Sequence, residues 1–283
     1  DVVGEVTCAR VDEAIFAMNE AGAAFENWSK QTVESRACCL ERCADLLEQH
    51  RPELIVLMMR EAGKVLMDGL DEIREAVDFC RYYASQARQQ LQDQACPGYT
   101  GEENTLRLEG RGVIVCISPW NFPVAIFLGQ IAAALVTGNT VVAKPAEQTS
   151  LVASRVIALC YEAGIPRSVL HCVPGEGETV GAALIEHPSC AGVVFTGSTQ
   201  TAKRIQRALA DRSGAILPLI AETGGMNAMI ADSSCLPEQL VRDVIHSAFG
   251  SAGQRCSALR VLYLQEDIAD KVVPMLKGAL SLL

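Results

Sequence analysis

Gly112-Val-Ile-Val-Cys-Ile-Ser-Pro-Trp-Asn-Phe-Pro123 begins with five consecutive apolar residues, Val113–Ile117, and ends in a turn made rigid by two prolines. A strand that is apolar at every position is covered on both faces, as in a parallel sheet. A helix is predicted near 124–135, and a second apolar strand follows at 140–143. The alternation continues, with strands at 169–173, 193–196 and 216–220. Helices are predicted near 149–163, 178–186 and 199–210. Five strands with four intervening helices predict an α/β fold, an open doubly wound, Rossmann-like parallel sheet over residues 112–223. Beyond it, a strand at 228–231, a helix after Pro237, a strand at 260–264 and a last helix read as the beginning of a second α/β domain, 224–283.

Upstream, residues 1–92 read as an N-terminal helical layer. Val11, Ile15, Met18, Phe25 and Trp28 recur at helical spacing. Thr32 suits an N-cap for a helix carrying Leu40, Cys43 and Leu47. Pro52 suits a first turn and Gly63 an ending. A further helix, polar on one face, holds Ile73, Val77, Cys80 and Ala84. Residues 93–111 form a linker, within which Thr105 to Glu109 alternate like an exposed strand.

The chain has 283 residues, 49% of them hydrophobic, and a net charge of −10. That balance excludes broad nucleic-acid binding, because no basic surface exists to displace phosphate counterions. A nucleotide cofactor remains compatible, since helix N-termini hold a pyrophosphate without net positive charge. Twelve cysteines at irregular spacings, with no C-x-x-C pair, argue against a disulfide framework and against a zinc site. They read as small core residues in a reducing, cytoplasmic setting. No signal peptide or membrane span is expected.

Candidate chemistry sits at strand ends. The first strand lacks the G-x-G-x-x-G turn. The phosphate-binding turn falls instead after the fourth strand, at Phe195-Thr-Gly-Ser-Thr199, where Gly197 permits close approach and Ser198 opens a helix. Lys144 and Glu147 close the second strand. A carboxylate there suits ribose hydroxyls and repels a 2′-phosphate, favouring NAD. Glu222, beside Thr223 and Gly224, would act as a general base if its carboxylate is buried. Cys256 lies in the Gly-rich loop Gly250-Ser-Ala-Gly-Gln-Arg-Cys-Ser257, the setting of a nucleophilic thiol. Taken singly, each feature also fits a purely structural role.

In succession, Asn121, Lys144, Glu147, Gly197-Ser198, Glu222 and Cys256 resemble the aldehyde dehydrogenase superfamily. Arg60-Glu-Ala-Gly-Lys64, the run from Asp68 to Cys80, Ala221-Glu-Thr-Gly-Gly225 and Ser251-Ala-Gly-Gln-Arg-Cys-Ser-Ala-Leu-Arg260 are similar to the dehydrogenase module of the bifunctional proline utilization A family. The resemblance implies NAD-dependent oxidation of L-glutamate γ-semialdehyde to glutamate. It implies Cys256 as nucleophile, Glu222 as base for deacylation, and Asn121 with the Cys256 N–H at the oxyanion. Ile117, Ser118, Pro119, Trp120, Lys144, Glu147, Gly197, Ser198, Thr223 and Gly224 would hold the cofactor, and Ser257 and Phe122 the substrate. No metal is implied. Ala202 stands where many superfamily members have glycine, a feature that proline utilization A shares.

The resemblance further implies a proline dehydrogenase module and a homo-oligomer in a parent protein. It also implies later segments beyond Leu283, so the chain is expected to be a piece of a longer one. Two other readings stand beside it. A CoA-acylating relative would not need Glu222, and an isolated fragment would fold without turnover.

Overall fold

Residues up to Glu222 form one compact unit and Thr223–Leu283 a second. The computed structural model describes residues 2–283. The first unit starts with four helices: α1 (Val11–Ser29), α2 (Val33–Gln49), α3 (Arg51–Ala62) and α4 (Leu66–Gln90). The Thr32 hydroxyl caps α2 by accepting the Ser35 N–H at 3.1 Å. Pro52 stands in the first turn of α3, and Gly63 ends it at φ 68°, a left-handed conformation that suits glycine. The stripe that α1 buries differs from the expected one. Val11 and Ile15 are exposed, whereas Ala14, Ala17, Met18, Ala21 and Trp28 are buried. Small side chains let α1 lie close against the sheet, so alanines form most of the seam.

An exposed antiparallel hairpin follows, β1 (Gln94–Cys96) with β2 (Asn104–Leu106). The strand expected from Thr105 to Glu109 stops at Leu106. Leu106 pairs with Gln94, the first residue of β1, so the ladder has no partner beyond it.

The sheet contains β3 (Val113–Ile117), β4 (Thr140–Lys144), β5 (Leu170–Cys172), β6 (Cys190–Gly197) and β7 (Leu219–Thr223), in the order β5-β4-β3-β6-β7. β3 runs parallel to both β4 and β6, and β4 runs parallel to β5. The intervening helices are α5 (Ala125–Val136), α6 (Ser150–Glu162), α7 (Ala182–Glu186), preceded by a π turn at Gly177–Gly181, and α8 (Thr199–Ala210). Alternate residues of each strand go to opposite faces. Ile114, Cys116, Val141, Ala143 and Leu170 pack into the core shared with α2 to α6. Val113, Val115, Ile117, Val142, Val193 and Phe195 pack into the core shared with α1, α7 and α8.

The fifth strand lies three residues later than its predicted span of 216–220. Ile216 is 94% exposed. Pro218 has no N–H to donate to a ladder, and only its carbonyl is used, accepting the Val193 N–H at 3.0 Å. Pairing therefore settles on Leu219–Thr223.

The second unit pairs β8 (Asn227–Ala231) parallel with β9 (Leu259–Leu264), and α9 (Pro237–Phe249) and α10 (Glu266–Leu280) cover them. Ala231, Leu240, Val241, Val244, Leu259 and Val272 form its core. Among the described residues, no helix is long and apolar enough to cross a membrane.

Candidate functional site

The chain steps outward from β3 to β4 and β5, then returns to the other side of β3 to lay down β6. Ligands of open parallel sheets lie at such a reversal, beyond the carboxyl ends of the strands. Here those ends are Ile117 with the following loop, and Thr196-Gly197-Ser198. Gln130 of α5 ties them together. Its amide Nε2 donates to the Ile117 carbonyl at 3.3 Å and to Thr196 Oγ1 at 3.0 Å. Its Oε1 is buried and accepts no hydrogen bond from any described residue.

At Gly197 any side chain would force the buried Phe195 ring to shift. A Cβ there would stand 2.6 Å from Cζ of the Phe195 ring. Ser198 caps α8, its Oγ accepting the Thr201 N–H at 3.1 Å. The first turn of α8 thus presents helix N–H groups and the positive end of the helix dipole at the mouth of the sheet.

A cleft of about 440 Å³ lies behind this turn, lined in part by Ile117, Lys144, Gly177, Gly181, Ile185 and Ile205. Lys144 is buried, and its ammonium donates to the Pro145 carbonyl at 3.0 Å, the Gly175 carbonyl at 2.7 Å and Glu147 Oε1 at 2.9 Å. The same Glu147 oxygen accepts the Gly177 N–H at 3.0 Å. Partial burial pushes the Glu147 carboxyl upward, but Lys144, its own backbone amide and that of Gly177 prevail, and it lies below the usual carboxylate value. A largely apolar cleft, with the Glu147 carboxylate bonded to its wall residues Lys144 and Gly177 and a helix N-terminus nearby, suits a nucleoside joined to phosphate.

The loop after β3 contains buried Ser118, half-buried Pro119, exposed Trp120, and half-buried Asn121 and Phe122. It is held from the helical layer. Glu72 of α4 accepts the Val124 and Ala125 N–H groups through Oε1, at 2.8 and 3.2 Å. Its Oε2 lies 2.5 Å from the Lys64 ammonium, which sits 4.4 Å from the centroid of the Phe122 ring. Burial pushes the Glu72 carboxyl up, and Lys64 with the two amides pulls it part of the way back.

In the second unit, Cys256 and Ser257 are exposed. The turn at Gly250–Gly253 precedes them, with Ser251, Ala252 and Gly253 at φ 55°, 53° and 68°. Arg260 Nη2 fixes that turn by donating to the Gly253 carbonyl at 2.9 Å. Asn227 Nδ2 donates to the carbonyls of Cys256, at 2.7 Å, and Ala258, at 3.0 Å. All twelve cysteines are free. Cys8 and Cys96 are the other exposed ones, on the segment before α1 and on β1, and most of the remainder are buried as expected.

The burial considered for Glu222 is not found. Glu222 is exposed, Thr223 half-buried and Gly224 exposed. β7 is the edge strand of the sheet, and most of its residues lack apolar cover. The sequence reading also passed over Lys64, Glu72, Gln130 and Asn227. Lys64 and Glu72 lie inside two of the quoted family-like motifs without a role being given to them, and Gln130 is the sole polar side chain within the apolar run of α5.

Comparison with known proteins places these features in context. The model of the aldehyde dehydrogenase family matches residues 1–283. The bifunctional protein PutA of Klebsiella aerogenes is 51% identical over 284 residues, covering 99% of this chain and 21% of that protein. The crystal structure of Bradyrhizobium japonicum proline utilization A superposes with a TM-score of 0.95 at 57% identity, over 97% of this chain and 28% of that one. The crystal structure of 1-pyrroline-5-carboxylate dehydrogenase from Thermus with bound NAD gives a TM-score of 0.93 at 35% identity, over 96% of this chain and 54% of that one. The chain thus spans about a fifth of the bifunctional relative and about half of the Thermus enzyme. It belongs to the aldehyde dehydrogenase family.

Proposed function

We propose that the chain is the cofactor-binding and nucleophile-bearing part of an NAD-dependent dehydrogenase that oxidises L-glutamate γ-semialdehyde to L-glutamate. The observation that carries the reading is the cleft at the β3/β6 reversal, lined by Lys144 and Gly177, both of which Glu147 bonds, in a chain 51% identical to PutA. The residues present fit the cofactor. The cleft takes the adenosine, Glu147 Oε2 is left for ribose hydroxyls, and Ser198 with the first amides of α8 takes the pyrophosphate. Ile117, Ser118, Pro119, Trp120, Thr223 and Gly224 complete the binding set. NAD, when bound, supplies the hydride acceptor.

The chain's own residues do the rest. The Cys256 thiolate attacks the aldehyde carbon and forms a thiohemiacetal. The Asn121 side-chain amide and the Cys256 N–H stabilise the oxyanion. Oxidation leaves a thioester on Cys256. Glu222 takes a proton from the water that hydrolyses it, releasing the acid and restoring the thiol. Ser257 and Phe122 contact the substrate. Exposure of Glu222 in this chain does not prevent that role, since a water-activating carboxylate needs access to water. The presence of Glu222 favours hydrolysis over acyl transfer to CoA. The reading places the protein in the cytoplasm, with a proline dehydrogenase module in the same full-length chain and a homo-oligomeric assembly.

Pre-steady-state NADH formation in the full-length protein tests this. Glu222→Gln is expected to release about one NADH per site in a burst and then lose steady-state turnover, because thioester accumulates. Loss of the burst to the same degree as turnover would overturn the assignment of Glu222 to deacylation.

A further inference from the structure

We infer that Glu72 and Lys64 form a positioning pair that sets the loop carrying Asn121 and Phe122. The catalytic half of this inference rests on the function proposed above, and the structural half does not. Residues 118–124 include Pro119 and Pro123, which have no N–H groups with which to brace the loop. The bracing comes from a distant part of the chain. Glu72 reaches from α4 to the first amides of α5 at Val124 and Ala125, 52 and 53 residues away. Its second oxygen meets Lys64 at 2.5 Å, and Lys64 rests over the Phe122 ring. The two side chains are 0% and 5% exposed.

The burial is informative. An ion pair out of water is costly to desolvate, and apolar residues of similar volume commonly serve stability as well or better. A buried pair is therefore weak evidence for stability. It can fix geometry, and here Glu72 bonds the Val124 and Ala125 amides while Lys64 rests over the Phe122 ring. Glu61 offers a comparison within the same fold. It caps α6 in the same manner, accepting the Leu151 and Val152 N–H groups at 2.7 and 2.9 Å, and no ion pair with a lysine is found for it among the described residues. Capping alone thus does not call for the Lys64–Phe122 extension. What distinguishes the Glu72 cap is the loop it holds.

The test uses the full-length protein, with Glu72→Ala, Glu72→Gln and Lys64→Met made alone and in an Asn121→Ala background. Glu72→Ala is expected to lower kcat by about tenfold or more, since small misplacements at a reacting centre are costly. In the Asn121→Ala background the same substitution is expected to change kcat by less than about twofold, because residues acting through one another are not additive. Glu72→Gln, which keeps an acceptor for both amides, is expected to recover part of the loss. An equal fold-loss with and without Asn121 would overturn the proposal, as would unchanged kcat in folded Glu72→Ala. If Glu72→Ala does not fold, the same cycle is read on Glu72→Gln and Lys64→Met. If the wild type forms no NADH from the semialdehyde, the proposed function fails, and amide hydrogen exchange decides the positioning by itself. Faster exchange at Val124 and Ala125 in the variants, ahead of the later amides of α5, supports it, and unchanged exchange there refutes it.

Discussion

Ser251 and Ala252 hold left-handed backbone without being glycine, five and four residues before Cys256. Each such residue costs roughly 1–2 kcal/mol, and the turn is kept by the Arg260 bond to Gly253 and the Asn227 bonds beyond it. Ala252→Gly removes the steric cost while adding disorder to the unfolded chain. A net gain of about 0.5–1 kcal/mol in urea unfolding is expected, and a loss of stability would show that Ala252 is not strained. In the first unit, Glu147 has one oxygen committed to Lys144 and Gly177. Replacing it with Gln removes the charge that disfavours a 2′-phosphate. The NAD-over-NADP ratio in kcat/KM should then fall by about tenfold, the scale of one charged hydrogen bond, and an unchanged ratio would remove Glu147 from cofactor choice. Residues of this kind are legible in a sequence because their type and their place at a strand end suggest the chemistry. The roles of Glu72 and Asn227 are not, because the amides and carbonyls they bond lie far along the chain, even though Glu72 and Lys64 fall inside family-like motifs.

Among the elements, α2 and α4 are tied by Arg88, which bonds Glu34 at 2.7 Å and Glu41 at 2.5 Å. The Arg88 hydrogen bond is the main cause that holds the Glu34 carboxyl down at about 2, with Cys38 assisting. A carboxyl lowered in the folded state contributes stability above its unfolded value, and that contribution is lost as pH falls through the folded value. Arg88→Gln should therefore lower Tm slightly at pH 7, as expected for an exposed network. The difference from wild type should shrink between the ordinary carboxylate range and about pH 2. A difference that is constant with pH would mean that Arg88 acts by packing alone. The sequence located β3 and β4 closely because β3 is apolar throughout and β4 is built around the apolar run Val141–Ala143. It placed β7 too early because hydrophobicity does not register the missing N–H of Pro218, and it passed over β1 because three exposed residues carry no pattern. The buried stripe of α1 was misread for a related reason, since alanines chosen for close approach carry a weaker apolar signal than Val11 and Ile15.

At the scale of the whole molecule, the doubly wound sheet was legible because five apolar segments punctuated by helices leave few alternatives. The order of its strands was not, since apolarity does not say on which side of β3 the chain returns, and that return creates the reversal where the cleft lies. The candidate nucleophile was legible from its loop composition, and the structure adds that Cys256 is exposed and that Asn227 and Arg260 fix the backbone on either side of it. Two other thiols, Cys8 and Cys96, are exposed as well, so exposure alone does not select one. The most direct test is steady-state NADH formation from L-glutamate γ-semialdehyde by the full-length protein with Cys256→Ser, beside Cys8→Ser and Cys96→Ser. Turnover is predicted to fall to background for Cys256→Ser and to stay near wild type for the other two, and near-normal turnover by Cys256→Ser would contradict the assignment.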